Sequence, residues 1–169
     1  ISALNLIKNF APDLVINTGV AGGTGSDAKI CDVVVGQQIA YHDVWCGPDT
    51  KEGQAARCPL FFTSDEKVLS LPCLEAPHIH KGLIASGDIF VSKAADISRI
   101  KAMYPEVKAV DMESAAIAQV CHLTATPFFC IRIVSDTPGE ADNAAQYDEF
   151  WERAPRQAFS ILKSIIFSL

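Results

Sequence analysis

The sequence predicts an α/β fold with a mainly parallel central sheet, on three observations. Leu14-Val-Ile16, Val33-Val-Val35 and the run from Pro127 to Val134 are short, unbroken apolar stretches of the kind that parallel strands buried on both faces require. Between them lie segments whose apolar residues recur three and four positions apart, the helical period. Glycine and proline punctuate the junctions.

In chain order, Ile1, Leu4, Ile7 and Phe10, with Ala3 and Leu6, recur at helical spacing, and Pro12 blocks continuation, so the chain opens inside an amphipathic helix. The strand at Leu14 to Ile16 leads into a glycine turn from Asn17 to Gly25. Val33 to Val35 and Ile39 to Tyr41 read as strands split at Gly36. A polar loop rich in Gly and Pro follows from about 46 to 59, then a short helix over 64–71. Lys81-Gly-Leu-Ile-Ala85 restarts the sheet. A helix over about 93–103, a strand over 107–110, a helix over 113–122 and the strand over 127–134 complete the alternation. Phe150, Ala154, Ala158, Ile161, Leu162, Ile165 and Ile166 predict a long closing amphipathic helix. With neither internal repeat nor linker, 1–169 reads as a single domain.

A chain of 169 residues, 49% hydrophobic and 20% charged, buries a core without disulfides or metals and is no disordered segment. Its net charge of -6 argues against nucleic acid and anionic membranes, which select basic surfaces, and points to a small-molecule partner. No apolar run approaches the roughly 18 residues that span a bilayer. The cysteines (Cys31, Cys46, Cys58, Cys73, Cys121, Cys130) include no Cys-x-x-Cys pair and mostly sit in apolar runs, which predicts reduced thiols in a cytoplasmic protein. The close histidine pair, His78 and His80, has no second ligand cluster beside it, so neither a metal nor another cofactor is expected. The opening Ile1-Ser-Ala-Leu lacks an initiator Met and any leader pattern, and reads as a cut.

Three places carry candidate chemistry. The segment Asn17-Thr-Gly-Val-Ala-Gly-Gly23, with Gly22 near its end, lies at the carboxyl end of a strand, where open α/β sheets bind ligands. Gly23, Gly25 and Ala28 fit a loose dinucleotide-binding pattern, but the chain continues into a strand at Ile30 to Val35 instead of the helix that such a site requires. Ligand contact and a ligand-free tight turn both stay open. In Ala109-Val-Asp-Met-Glu-Ser-Ala115, Asp111 reads as a helix cap, while Glu113 is a carboxylate at the sheet's mouth, able to accept two hydrogen bonds from a vicinal diol. In Arg132-Ile-Val-Ser-Asp136, the strand-embedded Arg132 requires a buried anion or ligand as partner. Asp136 is either a turn residue or, if desolvated, a general acid with a raised pKa.

Together and in order, Asn17 to Gly23, Tyr41-His42-Asp43, Ser86-Gly-Asp-Ile-Phe-Val91, Val110 to Ala116 and Arg132 to Asp136 resemble the nucleoside phosphorylase and hydrolase superfamily. The likeness is greatest to its 5′-methylthioadenosine/S-adenosylhomocysteine nucleosidases and covers nearly the whole chain. It implies a three-layer α/β/α fold around a mixed, mainly parallel sheet, with the family's first strands lying before Ile1. It also implies hydrolysis of the N-glycosidic bond of those two nucleosides, releasing adenine. In the family, the residue matching Phe90 stacks on adenine and the backbone at Val91 reads the base edge. Met112 packs on the sugar, Glu113 binds the ribose hydroxyls, and Asp136, oriented by Ser135, protonates N7 of the leaving base. Gly22 and Arg132 join the substrate site by the same likeness, and a water-orienting carboxylate comes from the strand before Ile1. A homodimer, in which a loop closes the neighbour's pocket, is the implied assembly. Val20 stands where many relatives have Ser, Asp111 where many have Glu, and 45–53 matches poorly, which leaves the preferred 5′-substituent open. Three alternatives remain: a purine nucleoside phosphorylase, which carries a phosphate-binding Arg where this chain has Asn17; a futalosine-type hydrolase; and a non-catalytic nucleoside-binding module.

Overall fold

The computed structural model describes residues 1–25, 28–138, 150 and 160–169. Helix α1 (Ser2–Phe10) ends at Ala11, whose left-handed backbone turns its N–H back onto the Ile7 carbonyl just before Pro12. Six strands follow: β1 (Val15–Gly23), β2 (Val33–Tyr41), β3 (Phe62–Thr63), β4 (Ile79–Ser86), β5 (Val107–Asp111) and β6 (Phe128–Asp136). Between β3 and β4 lie α2 (Glu66–Leu69), whose first N–H groups are capped by the Asp65 carboxylate, and a 3₁₀ turn (Pro72–Leu74). Helices α3 (Ala94–Met103) and α4 (Ser114–Leu123) flank β5.

The pairing is mixed and mainly parallel, as expected, with β2 beside β4, β4 beside β5 and β1 beside β6 all parallel. The sheet also curls into a closed ring, which the sequence did not foretell. Gly22 and Gly23 of β1 meet Val110 and Ala109 of β5 antiparallel, and Val33 to Val35 of β2 meet Ile131 to Ile133 of β6 antiparallel. Alternation along β2 and β6 sends successive residues to opposite faces. Val34, Cys130 and Val134 pack with Ala115 and Ala118 of α4, whose small side chains let the helix approach closely. Val33, Val35, Phe129, Ile131 and Ile133 pack on the other face with Val68, Leu74, Phe150 and Ile165, so helical elements cover both faces.

Two expectations change. The glycine segment is no turn: β1 runs straight through it to Gly23, and the bend comes at Gly25, with φ at 75°. A Cβ on Gly22 would sit 2.7 Å from Pro138 Cγ and 3.3 Å from Val110, so glycine is there to let strand ends converge. Gly36 does not split β2 either, because the strand absorbs one extra residue as a register shift between Gly36 and Gln38. The two-residue β3 was unforeseen. Residues 160–166 are helical, with Ile165 buried and Ile166 exposed, while 151–159 of the expected closing helix and Gly139 lie outside the described residues. No helix among the described residues is long and apolar enough to cross a membrane, and all six cysteines are free thiols.

At the centre of the sheet Arg132 is 2% exposed, with every guanidinium N–H satisfied. Nε donates to Asp111 Oδ2 at 2.7 Å, Nη1 to the carbonyls of Asn17 and Ile131 at 3.1 Å each, and Nη2 to Asn17 Oδ1 at 2.9 Å and Ser114 Oγ at 2.8 Å. Removing one member of such a pair strands the other's charge away from water. Arg132→Met is therefore expected to lower unfolding free energy by about 3–5 kcal/mol, and adding Asp111→Asn should recover part of that loss. Urea denaturation of both variants measures it, and a single variant within about 1 kcal/mol of the parent would remove the pair from this role.

Candidate active site

The carboxyl ends of four strands meet around a cleft of about 250 Å³. β1 supplies Val20, Ala21 and Gly22, and β5 supplies Val110 and Asp111 before the chain continues through Met112 and Glu113. Ser135 and Asp136 close one side from the end of β6, and the segment after β4 brings Ile89, Phe90 and Val91. Of the eight residues expected from sequence, Gly22, Phe90, Val91, Met112, Glu113, Ser135 and Asp136 are thus gathered in one place. Arg132 is not among them: its five donors are all taken up by bonds within the protein. Asn17 likewise lies behind the cleft, buried against Arg132.

Asp136 is 5% exposed, and burial raises its pKa above the ordinary aspartate value. The Ser135 hydroxyl, 2.6 Å from Asp136 Oδ1 and 3.2 Å from the Ala21 carbonyl, lowers it only in part and fixes the carboxyl's orientation. Among the described residues, no Lys or Arg lines the cleft to counter that burial. Asp136 stands at the end of β6, and its carboxyl accepts the Ser135 hydroxyl instead of the backbone N–H groups that a turn residue would bind.

Glu113 occupies the N-cap position of α4, yet its side chain makes no cap hydrogen bond. Asp111 does that work instead. Its Oδ1 accepts the Ser114 N–H at 3.3 Å, and its Oδ2 accepts from both Arg132 and the Ser114 hydroxyl. The cap reading of Asp111 therefore holds, but the residue's larger task is to balance Arg132, a partnership that the strand-embedded arginine signalled without identifying. The Glu113 carboxylate stays free to face a ligand. Phe90 is 63% exposed, which excludes core packing and leaves a ring face available for stacking, while Met112 is 39% exposed on the cleft wall. Ile89 was missed, since an isolated apolar residue in a loop carries no signal.

The Phosphorylase superfamily model matches residues 1–166. The 5′-methylthioadenosine/S-adenosylhomocysteine nucleosidase of Actinobacillus succinogenes is 37% identical over 169 residues, an alignment covering 97% of this chain and 73% of that protein. The nucleosidase of the same description from Neisseria meningitidis, solved in complex with methylthio-immucillin-A, superposes with a TM-score of 0.90 at 38% identity, over 99% of this chain and 74% of that one. The native futalosine hydrolase of Helicobacter pylori superposes equally well, at 0.90, but at 28% identity over 99% and 73% of the two chains.

The raised pKa of Asp136 has a consequence for stability. A carboxyl whose pKa is raised by burial binds its proton more tightly folded than unfolded. Its contribution is therefore fully present below the unfolded value near 3.8 and is lost as pH rises through the folded pKa. Asp136→Asn removes that loss. At pH 8 the variant's thermal midpoint should exceed the parent's by about 2–4 °C per kcal/mol relieved, and the difference should vanish near pH 4. Thermal unfolding across pH measures this, and a parent more stable than the variant at pH 8 would contradict it.

Proposed function

Because the chain belongs to the phosphorylase superfamily and, within it, to the 5′-methylthioadenosine/S-adenosylhomocysteine nucleosidases, we propose that it hydrolyses the N-glycosidic bond of these two nucleosides and releases adenine. The observation that carries the mechanism is Asp136, a buried carboxyl with a raised pKa on the wall of a cleft that also holds an exposed aromatic ring and an unspent carboxylate.

Cleavage passes through an oxocarbenium-like sugar, so the departing base must be neutralised as the bond breaks. Asp136 gives its proton to adenine N7, with Ser135 holding the carboxyl in line. Water adds to the sugar carbon from the opposite face, its oxygen joins the sugar, and its surplus proton restores the acid by way of solvent. Phe90 stacks on the base, the Val91 backbone reads the purine edge, and Gly22 permits close approach at the cleft floor. Glu113 accepts the ribose hydroxyls and Met112 packs on the sugar. Phosphate is a compact dianion that a partly dry site holds with a cation, and among the described residues no Lys or Arg lines this cleft, which favours water as acceptor.

In the full-length protein, Asp136→Asn should lower kcat by about two to four orders of magnitude and Glu113→Gln should lower kcat/KM at least about tenfold. Turnover should be insensitive to added phosphate, and the products should be adenine with free 5-methylthioribose or ribosylhomocysteine. A rate that saturates with phosphate and yields a sugar 1-phosphate would make this a phosphorylase. Turnover of futalosine in preference to both nucleosides would assign the futalosine reaction. Binding without turnover would leave a nucleoside-binding module.

One domain forming a cytoplasmic homodimer is part of the same proposal. Trp45, Ile89 and Phe90, which are 66%, 49% and 63% exposed beside the cleft, form an apolar surface that a second copy would cover. Six free thiols fit a reducing compartment. Sedimentation showing an active monomer at micromolar concentration, or recovery of the protein in a secreted fraction, would overturn the respective half.

A further inference from the structure

The Tyr41-His42-Asp43 segment at the end of β2 contributes nothing to the lining of the cleft, yet it is joined closely to residues that do. The His42 N–H donates to the Ser86 carbonyl at 3.0 Å, and the Asp43 carboxylate accepts the Asp88 N–H at 2.7 Å. Between these bonds lies Gly87, where a Cβ would meet His42 Cε1 at 2.6 Å and the Asp43 carboxyl carbon at 2.7 Å, so only glycine lets the two segments touch. The Gly87 N–H in turn donates to the Asp111 carbonyl at 3.1 Å.

Arg99 of α3 braces the same unit from the other side. Its Nη1 donates to the His42 carbonyl at 2.7 Å, and its Nη2 lies 3.3 Å from His42 Nδ1. Because a guanidinium only donates, Nδ1 is the acceptor and the buried imidazole is neutral, in keeping with burial lowering its pKa.

The segment so held has little packing of its own. Asp88, Ile89 and Phe90 are all exposed, so burial cannot fix their backbone, and an untethered loop would have to be ordered at the expense of binding. A carboxylate receiving a backbone N–H is a stronger anchor than a neutral acceptor. We propose that Asp43 is a positioning residue for purine recognition: by fixing the Asp88 peptide it sets the Phe90 ring and the Val91 backbone two and three residues further on, while the Arg99–His42 contact holds α3 against the same unit. This rests on the reading of residues 90 and 91 as the purine-binding wall.

The test compares Asp43→Ala, Asp43→Asn and Phe90→Ala in the full-length protein, by adenine titration, steady-state kinetics and thermal unfolding. Asp43→Ala should weaken adenine binding and raise KM by about five- to tenfold, the scale of one typical net hydrogen bond, with a smaller change in kcat and an almost unchanged melting temperature. Asp43→Asn, which keeps a carbonyl acceptor, should restore most of the affinity. Parental adenine binding by Asp43→Ala alongside weakened binding by Phe90→Ala would overturn the role of Asp43 alone. Equal losses in both Asp43 variants, accompanied by a fall in melting temperature, would overturn it as well by showing a merely structural contact. Parental binding by Phe90→Ala would instead overturn the purine-wall reading on which the proposal stands.

Discussion

The buried pair between Arg132 and Asp111 is the constraint from which the rest of the site follows. Taking a guanidinium and a carboxylate out of water costs several kcal/mol per ion, and the cost is recovered only if every donor finds an acceptor. Here the acceptors come from Asn17 on β1, Asp111 on β5, Ser114 on α4 and the backbone of β6 itself. The bonds to the three strands each tie down an element whose next few residues line the cleft. β1 goes on to Gly22, β5 to Met112 and Glu113, and β6 to Ser135 and Asp136. Arg132 stands opposite Gly19 in the parallel pairing of β1 with β6, so its guanidinium spans the two strands in register. Through the Asp111 carbonyl the same point reaches Gly87, and so the segment that carries Phe90.

Two aspartates only a few residues from this centre show how environment divides labour between identical groups. Both are almost fully buried, at 7% and 5% exposure. Asp111 faces a cation and two donors from Ser114, so its charge is compensated and structural. Asp136 faces only a hydroxyl, so burial pushes its pKa up, which suits the role of proton donor proposed for it. Exchanging their surroundings would exchange their roles.

The sequence made the elements legible where one physical signal dominated. Unbroken apolar runs gave the cores of β1, β2 and β6, and a proline stop gave the end of α1, because burial on both faces and a missing N–H leave few alternatives. The glycines of β1 misled, since glycine favours turns locally, whereas here it answers a demand set by Pro138 and Val110 from distant parts of the chain. Closure of the sheet was invisible for the same reason, as it rests on a few antiparallel pairs at strand ends. The need of Arg132 for an anion could be read, but not its identity, because Asp111 already had a sufficient local explanation as a cap. Tyr41-His42-Asp43 stood out only as part of a resemblance, since its work is done through a backbone N–H that leaves no trace in composition.

The same geometry explains how a site can contain an arginine one strand away and still favour water over phosphate. An arginine attracts a dianion only if its charge and at least two of its N–H groups are free to meet it. In this protein the charge is balanced by Asp111 and all five N–H groups are taken. Asn17, at the position suggested by the phosphorylase comparison, does not line the cleft either, and serves instead to hold that guanidinium. Recruiting Arg132 to phosphate would mean stripping Asp111 of its partner and loosening three strands at once. The interaction that assembles the cleft is thus also the one that withholds the Arg132 charge from it.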